Sequence, residues 1–293
     1  MVKTAGVSLS PTGPKVAAIG GGHGLSKSLL AARRYASRLS AIVSVADDGG
    51  SSGRLREQLG IPAPGDVRRC LSAMSARPSL LAQTLEHRFG SGELAGHAFG
   101  NLLIAALAVT AGGFVEGVEE LCRLLPTVGE VLPATAGPVM LAAAGPEGTT
   151  RGQVAIMQSG GILNLTLEPR GARPPQAVLD AIGTADQVVI GPGSLYTSVL
   201  AACIVPDVRR ALEATSAQRV YVANLRDQPP ETRGYGLVDH LAALERHGIG
   251  IDVVLADHRA QCSAGEQLDL ARKLAETGGA RLVTAEVADD RLV

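Results

Sequence analysis

The 293-residue chain contains no tryptophan, and tyrosine and phenylalanine together make up only 2% of it. Its core must therefore be built from Ala, Val, Leu and Ile, in a composition that is 46% hydrophobic. An excess of charge of either sign is also lacking: the formal net charge is −1, so no global field draws the protein to nucleic acid or an anionic membrane. The longest uninterrupted apolar run, Leu102–Val109, is far too short to cross a bilayer. Met1–Pro14 lacks the apolar core and cleavage site of a secretory signal, and reads as a flexible N-terminal segment. The four cysteines, Cys70, Cys122, Cys203 and Cys262, form no Cys-x-x-Cys pair. They read as core thiols in a reducing, cytoplasmic setting rather than zinc ligands. A Walker A sequence is missing as well, and a Gly-x-Gly-x-x-Gly fingerprint starting at Gly20 fails at Leu25.

What is abundant is glycine, 36 residues, and it falls in particular places. Short β-branched runs alternate with longer helical patterns. Strands are expected at Lys15–Ile19, Ala41–Val45, Gln187–Ile190, Arg219–Ala223, Ile251–Ala256 and Arg281–Val287. Helices are expected at Ser26–Arg38, Asp207–Thr215, Leu237–His247 and Gly265–Thr277. This alternation predicts an α/β fold, a Rossmann-like, doubly wound and mostly parallel sheet, over residues 15–293. A helical insertion is expected at about 66–125, where Val115, Val118, Leu121, Cys122 and Leu125 recur at helical spacing. A small antiparallel β element is expected at about 128–167, where Gly and Pro break the pattern.

The chemistry-bearing residues follow the expected strands. Gly20, Gly21, Gly22, His23 and Gly24 open a helix, and unpaired N–H groups at a helix start favour an anion. Asp47, Asp48, Gly49, Gly50, Ser51, Ser52 and Arg54 follow the second strand, combining carboxylates for metal or ribose hydroxyls with a guanidinium for phosphate. Neighbouring aspartates on extended backbone point apart, so one of the pair is expected to face ligand and the other to brace the loop. Gly191, Gly193, Ser194, Tyr196 and Thr197 follow the third strand and Asn224 the fourth, with Tyr196 a candidate to stack on a base or sugar. In open α/β sheets ligands bind outside the carboxyl ends of the strands. Asp66 reads either as an N-cap for the helix carrying Arg68 and Arg69 or, with Asp48, as a metal ligand. Asn101 is a candidate ligand contact and His97 a candidate acid or base, against a capping role for both. No cofactor is dictated by these residues; Mg²⁺ accompanying a nucleotide is compatible with them.

The strings Gly20-Gly21-Gly22-His23-Gly24-Leu25, Val45–Arg56, Pro64-Gly65-Asp66-Val67-Arg68, Gly96-His97 with Gly100-Asn101-Leu102-Leu103, Val131–Thr135, Ile190–Ser198 and Gln228-Pro229 with Glu231-Thr232 and Gly234-Tyr235 resemble gluconeogenesis factors of the YvcK type. That family lies in the wider superfamily of 2-phospho-L-lactate transferase (CofD-like proteins). The resemblance implies a cytoplasmic regulator that binds a nucleotide sugar such as UDP-N-acetylglucosamine without turning it over. It also implies a role in gluconeogenic growth and in cell shape or wall-precursor control, and a homo-oligomer; regulatory protein partners are left unidentified. The alternative is a Mg²⁺-dependent enzyme transferring a phospholactyl group to a deazaflavin. A dinucleotide protein using Asp47 on ribose hydroxyls ranks third, because its glycine pattern is broken. Two departures stand out: His23 replaces the Thr of many relatives, and many relatives continue past the position of Val293 into a short helix containing His-Asp-Pro; were that helix absent, weaker sugar-nucleotide affinity would be expected.

Overall fold

The computed structural model describes residues 9–77, 79–259, 269, 272, 273 and 279–286. Seven parallel strands form the main sheet: β1 (Lys15–Gly20), β2 (Arg38–Val43), β3 (Glu130–Pro133), β7 (Gln187–Ile190), β8 (Gln218–Val222), β9 (Val253–Asp257) and β10 (Arg281–Ala285). Their spatial order is β10-β9-β8-β7-β1-β2-β3. Three further strands, β4 (Met140–Gly145), β5 (Gly148–Arg151) and β6 (Asn164–Glu168), make a separate antiparallel sheet in the order β5-β4-β6. The fold is thus the Rossmann-like arrangement expected, with a small antiparallel sheet beside it. Burial explains the parallel sheet: after its first residue β1 is wholly buried, as is β2, so both faces of these strands must be covered by helices.

The helices are α1 (Gly22–Ala32), α2 (Gly50–Leu59), α3 (Gly65–Met74), α4 (Leu80–Leu85), α5 (Phe99–Thr110), α6 (Phe114–Leu124), α7 (Gln153–Met157), α8 (Gln176–Gly183), α9 (Ala201–Cys203), α10 (Pro206–Ala214) and α11 (Leu237–Arg246). A π-helical turn, Leu195–Leu200, leads into α9. No single helix among the described residues is long and apolar enough to cross a membrane. The core is small-residue rich, with Ala17, Ala18 and Ala41 at the sheet centre, and Tyr196 and Tyr221 are its bulkiest fully buried side chains.

Three expectations need correction. Helix α1 stops at Ala32, and Arg38 begins β2 instead of ending the helix, because pairing Lys15↔Arg38 through Gly20↔Val43 buries Leu39 and Ala41. The stretch expected to form only an antiparallel element contributes β3 to the edge of the main sheet, where Ser40 to Val43 capture Glu130 to Pro133. Within the segment read as flexible, Leu9 packs on the core and the Ser10 N–H donates to the Ala36 carbonyl at 2.8 Å. Met1–Ser8 and most of the helix expected at Gly265–Thr277 lie outside the described residues.

Strand order changes direction between β1 and β7. The chain moves outward from β1 to β3, then returns to build β7 to β10 on the other side of β1. The carboxyl ends of β1 and β7 therefore diverge into loops that leave a crevice, the topological switch point at which such folds receive ligands.

Candidate functional site

Two glycine loops meet at that switch point. Gly22 has φ +62°, which lets the chain turn directly from β1 into α1. Gly24 is required for a different reason: a Cβ there would lie 2.0 Å from the Pro192 carbonyl oxygen. The loop after β7 is tied down in turn. The Asn224 side chain accepts from Gly193 N–H at 3.1 Å and donates to the Gly193 carbonyl at 2.9 Å, while Ser28 Oγ donates to the Gly191 carbonyl at 2.6 Å. Gly20, Gly21, Gly22, Gly24, Gly191 and Gly193 are thus brought together where the two loops approach. Asn224 is occupied in holding that backbone, and His23 is exposed at the start of α1.

The carboxylates divide the work. Asp66 reaches across from the first turn of α3 to accept from the Gly22 N–H and from Arg69 Nη1, the latter at 2.7 Å. It is no N-cap; Pro64 holds that position. Burial raises the Asp66 pKa, opposed by Arg69 and reinforced by the neighbouring charge of Asp47. Asp47 accepts from Gly49 N–H at 2.9 Å, and a Cβ on Gly65 would lie 3.4 Å from its Oδ2. Asp48 points the other way. Its two oxygens accept from Gln153 N–H and Val154 N–H, each at 2.9 Å, so it caps α7 of the small sheet. The expected metal pair of Asp48 and Asp66 is accordingly corrected: the carboxylate beside Asp66 is Asp47.

Helix α2 begins without help from any side chain at its N-cap, Gly49, and has no acidic residue in its first turn. Its leading N–H groups keep the positive end of the helix dipole open to an anion. Its hydroxyls face inward. Ser52 is buried against Gly65, where a Cβ would sit 2.3 Å from its Oγ. Ser51 Oγ meets Asn101 Nδ2 at 3.0 Å and His97 Nδ1 at 3.1 Å. Asn101 Oδ1 accepts from Arg68 Nε at 3.0 Å, and the Arg68 guanidinium is paired with Glu86. Asn101, 2% exposed and hydrogen-bonded to protein at both ends of its amide, is therefore placed as an internal bridge rather than at the surface of the crevice. Arg54, exposed on α2, donates to the Ala95 carbonyl at 3.0 Å and fastens the 95–98 loop to the helix.

Tyr196 and Thr197 are also corrected. Tyr196 is fully buried and its hydroxyl donates to the Ile162 carbonyl at 3.1 Å, so its ring cannot stack on a ligand. Glu231, itself 2% exposed, accepts from Tyr196 N–H at 2.8 Å, Thr197 N–H at 3.3 Å and Thr197 Oγ1 at 3.0 Å. Ser194 keeps a partly open position, with its carbonyl accepting from Ser198 and Val199 N–H. Sequence reading missed Glu231 and Arg68 as organisers of the site. The available signal for Arg68 was its place beside Val67 and Leu71 on a helix face with no room for an unpaired charge. Gly100 makes that placement possible, since a Cβ there would lie 2.8 Å from the Arg68 side chain.

The donor set suits a phosphate-bearing ligand with a hard cation. Mg²⁺ takes one or two carboxylates plus phosphate oxygens, and Asp47 and Asp66 supply two anionic groups whose mutual repulsion a cation relieves. Among the described residues no group of three or more His, Cys, Asp or Glu could hold a metal by itself. Any such ion would depend on the ligand for its remaining oxygens.

Comparison with known proteins places the chain in a family. The family model for 2-phospho-L-lactate transferase CofD matches residues 16–284. A gluconeogenesis factor from Halalkalibacterium halodurans is 44% identical over 240 residues, covering 80% of this chain and 74% of that protein. The Bacillus subtilis gluconeogenesis factor is 42% identical over 249 residues, covering 83% and 78%. A Deinococcus radiodurans relative, 44% identical over 240 residues, is longer, and the match spans 51% of it. Two crystal structures of a Bacillus halodurans protein, one described as a member of the UPF0052 family, superpose with TM-scores of 0.85 and 0.87. Their identities are 37% and 36%, and they cover 93% and 96% of this chain and 92% and 94% of theirs.

Proposed function

The chain belongs to the CofD family and is a homologue of the gluconeogenesis factors, and on that footing we propose that it binds a nucleotide sugar of the UDP-N-acetylglucosamine type as a cytoplasmic regulator without turnover. The observation carrying this reading is the meeting, at one switch point, of two glycine loops, the uncapped start of α2 and the Asp47–Asp66 pair. Backbone N–H groups of Gly50–Ser52, together with that of Ser194 at the end of the loop after β7, receive the diphosphate. Asp47 and Asp66 hold Mg²⁺ when it accompanies the nucleotide, and the ion would neutralise phosphate charge. Arg54 stands at the open end of α2 as an added cation. The regulatory output concerns gluconeogenic growth and cell-wall precursor supply, and the protein works as a homo-oligomer.

Isothermal titration with UDP-N-acetylglucosamine, with GTP and NAD in parallel, tests this. Selective, saturable binding without product supports it; absence of binding to the UDP-sugar under conditions where GTP or NAD binds refutes it. The family match favours one second reading, in which the same carboxylate pair and Mg²⁺ serve phospholactyl transfer to a deazaflavin. Metal-dependent formation of the transferred product would establish that reading in place of the regulator.

A further inference from the structure

The hydroxyl of Ser51 has one proton and two acceptor sites, and the structure accounts for all three. Asn101 Nδ2 donates to it at 3.0 Å and Ala98 N–H at 3.4 Å, which uses both acceptor sites. Its proton is left for His97 Nδ1 at 3.1 Å. The orientation of the Asn101 amide is not free either. Arg68 can only donate, so the atom 3.0 Å from its Nε must be the amide oxygen, which aims the NH₂ group at Ser51. Arg68 is 3% exposed and is fixed by Glu86, which also accepts from Ser72 Oγ at 2.8 Å. The donors therefore run in one direction, Arg68 to Asn101 to Ser51 to His97.

A neutral imidazole that accepts at Nδ1 carries its proton on Nε2. His97 is 8% exposed, and its Nε2 has no protein partner among the described residues. Nor is it one of the sealed, unpartnered polar atoms, which among the described residues are Arg33 Nε and His240 Nε2. The ring lies against the first turn of α2, where its Nδ1 meets Ser51. Burial, together with Arg54 and Arg88 nearby, lowers the His97 pKa and keeps the ring neutral.

We infer that Arg68, acting through Asn101 and Ser51, locks His97 in the Nε2–H tautomer, so that His97 presents a fixed, uncharged hydrogen-bond donor to the ligand received at the start of α2. The donor role rests on the nucleotide-sugar reading above; the relay does not. His97 is then the group that contacts ligand, and Arg68, Asn101 and Ser51 are positioning residues. The oxygen it recognises is an acceptor on the phosphate or sugar part of the ligand. A cationic histidine would bind phosphate indiscriminately, whereas a neutral donor in fixed orientation selects by geometry.

The decisive variant is Asn101→Asp. It keeps the partner of Arg68 and the shape of the side chain, but replaces the amide donor by an acceptor. Ser51 then donates to the introduced carboxylate, and His97 must donate from Nδ1 to Ser51. Ring ¹⁵N shifts from histidine-labelled protein, with the His97 resonances identified by their loss in His97→Gln, read the tautomer directly. We expect Nε2–H in the unmodified protein and Nδ1–H in Asn101→Asp, with unchanged far-UV circular dichroism. Ser51→Ala, a smaller change, is expected to release the ring into a mixture of tautomers.

Titration with UDP-N-acetylglucosamine completes the test. Loss of one hydrogen bond to a charged or strongly polar group corresponds to roughly tenfold or more in affinity. Asn101→Asp should show that loss, and His97→Gln, which retains a distal N–H, should bind more tightly than His97→Ala. Nδ1–H in the unmodified protein, or an unaltered tautomer in Asn101→Asp, overturns the relay. A switched tautomer with unchanged affinity overturns the donor role. An unmodified protein that does not bind the probe overturns the nucleotide-sugar reading and the donor role with it, while the spectra still decide the relay.

Discussion

Glu231 offers a sharp test of how the loop after β7 is held. Its carboxylate is the acceptor for three donors, the N–H groups of Tyr196 and Thr197 and the Thr197 hydroxyl, all in buried residues. Glu231→Ala strips the acceptor from two backbone N–H groups that have no route to water. Each such group costs about 1–3 kcal/mol when left unpaired, so the variant should lose roughly 3–5 kcal/mol. Glu231→Gln keeps an oxygen for both N–H groups and lets the Thr197 hydroxyl rotate to accept, so it should cost at most about 1 kcal/mol near neutral pH. The two variants also separate by pH. Burial raises the Glu231 pKa above its unfolded value, so folding takes up a proton. The stability this raised pKa contributes is complete below the unfolded pKa and declines as pH rises towards the folded one. Stability of the Gln variant relative to the unmodified protein should therefore grow as pH rises above about 4.5, then level off. Urea unfolding followed by circular dichroism is the assay of choice, since the chain has no tryptophan to report by fluorescence. A Glu231→Ala midpoint close to that of the unmodified protein, at equal slope, would refute the argument, as would equal losses for Ala and Gln.

Other consequences can be measured as readily. Asp48→Ala removes the acceptor for Gln153 and Val154 N–H; it should cost about 1–2 kcal/mol and speed hydrogen exchange selectively at 153–157. Gly24→Ala drives a methyl group into the Pro192 carbonyl, and a loss of about 2–3 kcal/mol is expected in thermal or urea unfolding. Asn224→Ala frees both backbone groups of Gly193; nucleotide-sugar affinity should fall about tenfold in calorimetry, more than the accompanying loss of stability explains. In Asp66→Asn the charge beside Asp47 disappears, so any Mg²⁺ dependence of ligand binding should weaken, which titration with and without the metal will show.

Much of the architecture was legible because parallel strands buried on both faces write themselves as short unbroken apolar runs. Gln187–Ile190 was read to the residue, and β8 and β9 within a residue or two. The boundary at Arg38 was not legible, since Arg33–Ser37 carries no strong helix stop and only the pairing of β2 with β1 decides where extension begins. β3 was hidden for the same reason: Glu130–Pro133 is too short to declare its sheet, and its partner lies about ninety residues away in the chain.

Amino-acid order alone puts glycine-rich, carboxylate-bearing loops after the strands, and therefore gathers the candidate site residues along one edge of the sheet. Composition and strand spacing suffice for that, because parallel strands place all their carboxyl ends together. Direction was beyond it. Whether Asp47 or Asp48 faces the crevice, whether Tyr196 meets ligand or core, and which end of the Asn101 amide meets Ser51 depend on partners at Gln153, Ile162 and Arg68. Those partners are distant in the chain, and a side chain's hydrogen bonds are assigned only when tertiary packing brings its few possible donors and acceptors within about 3 Å.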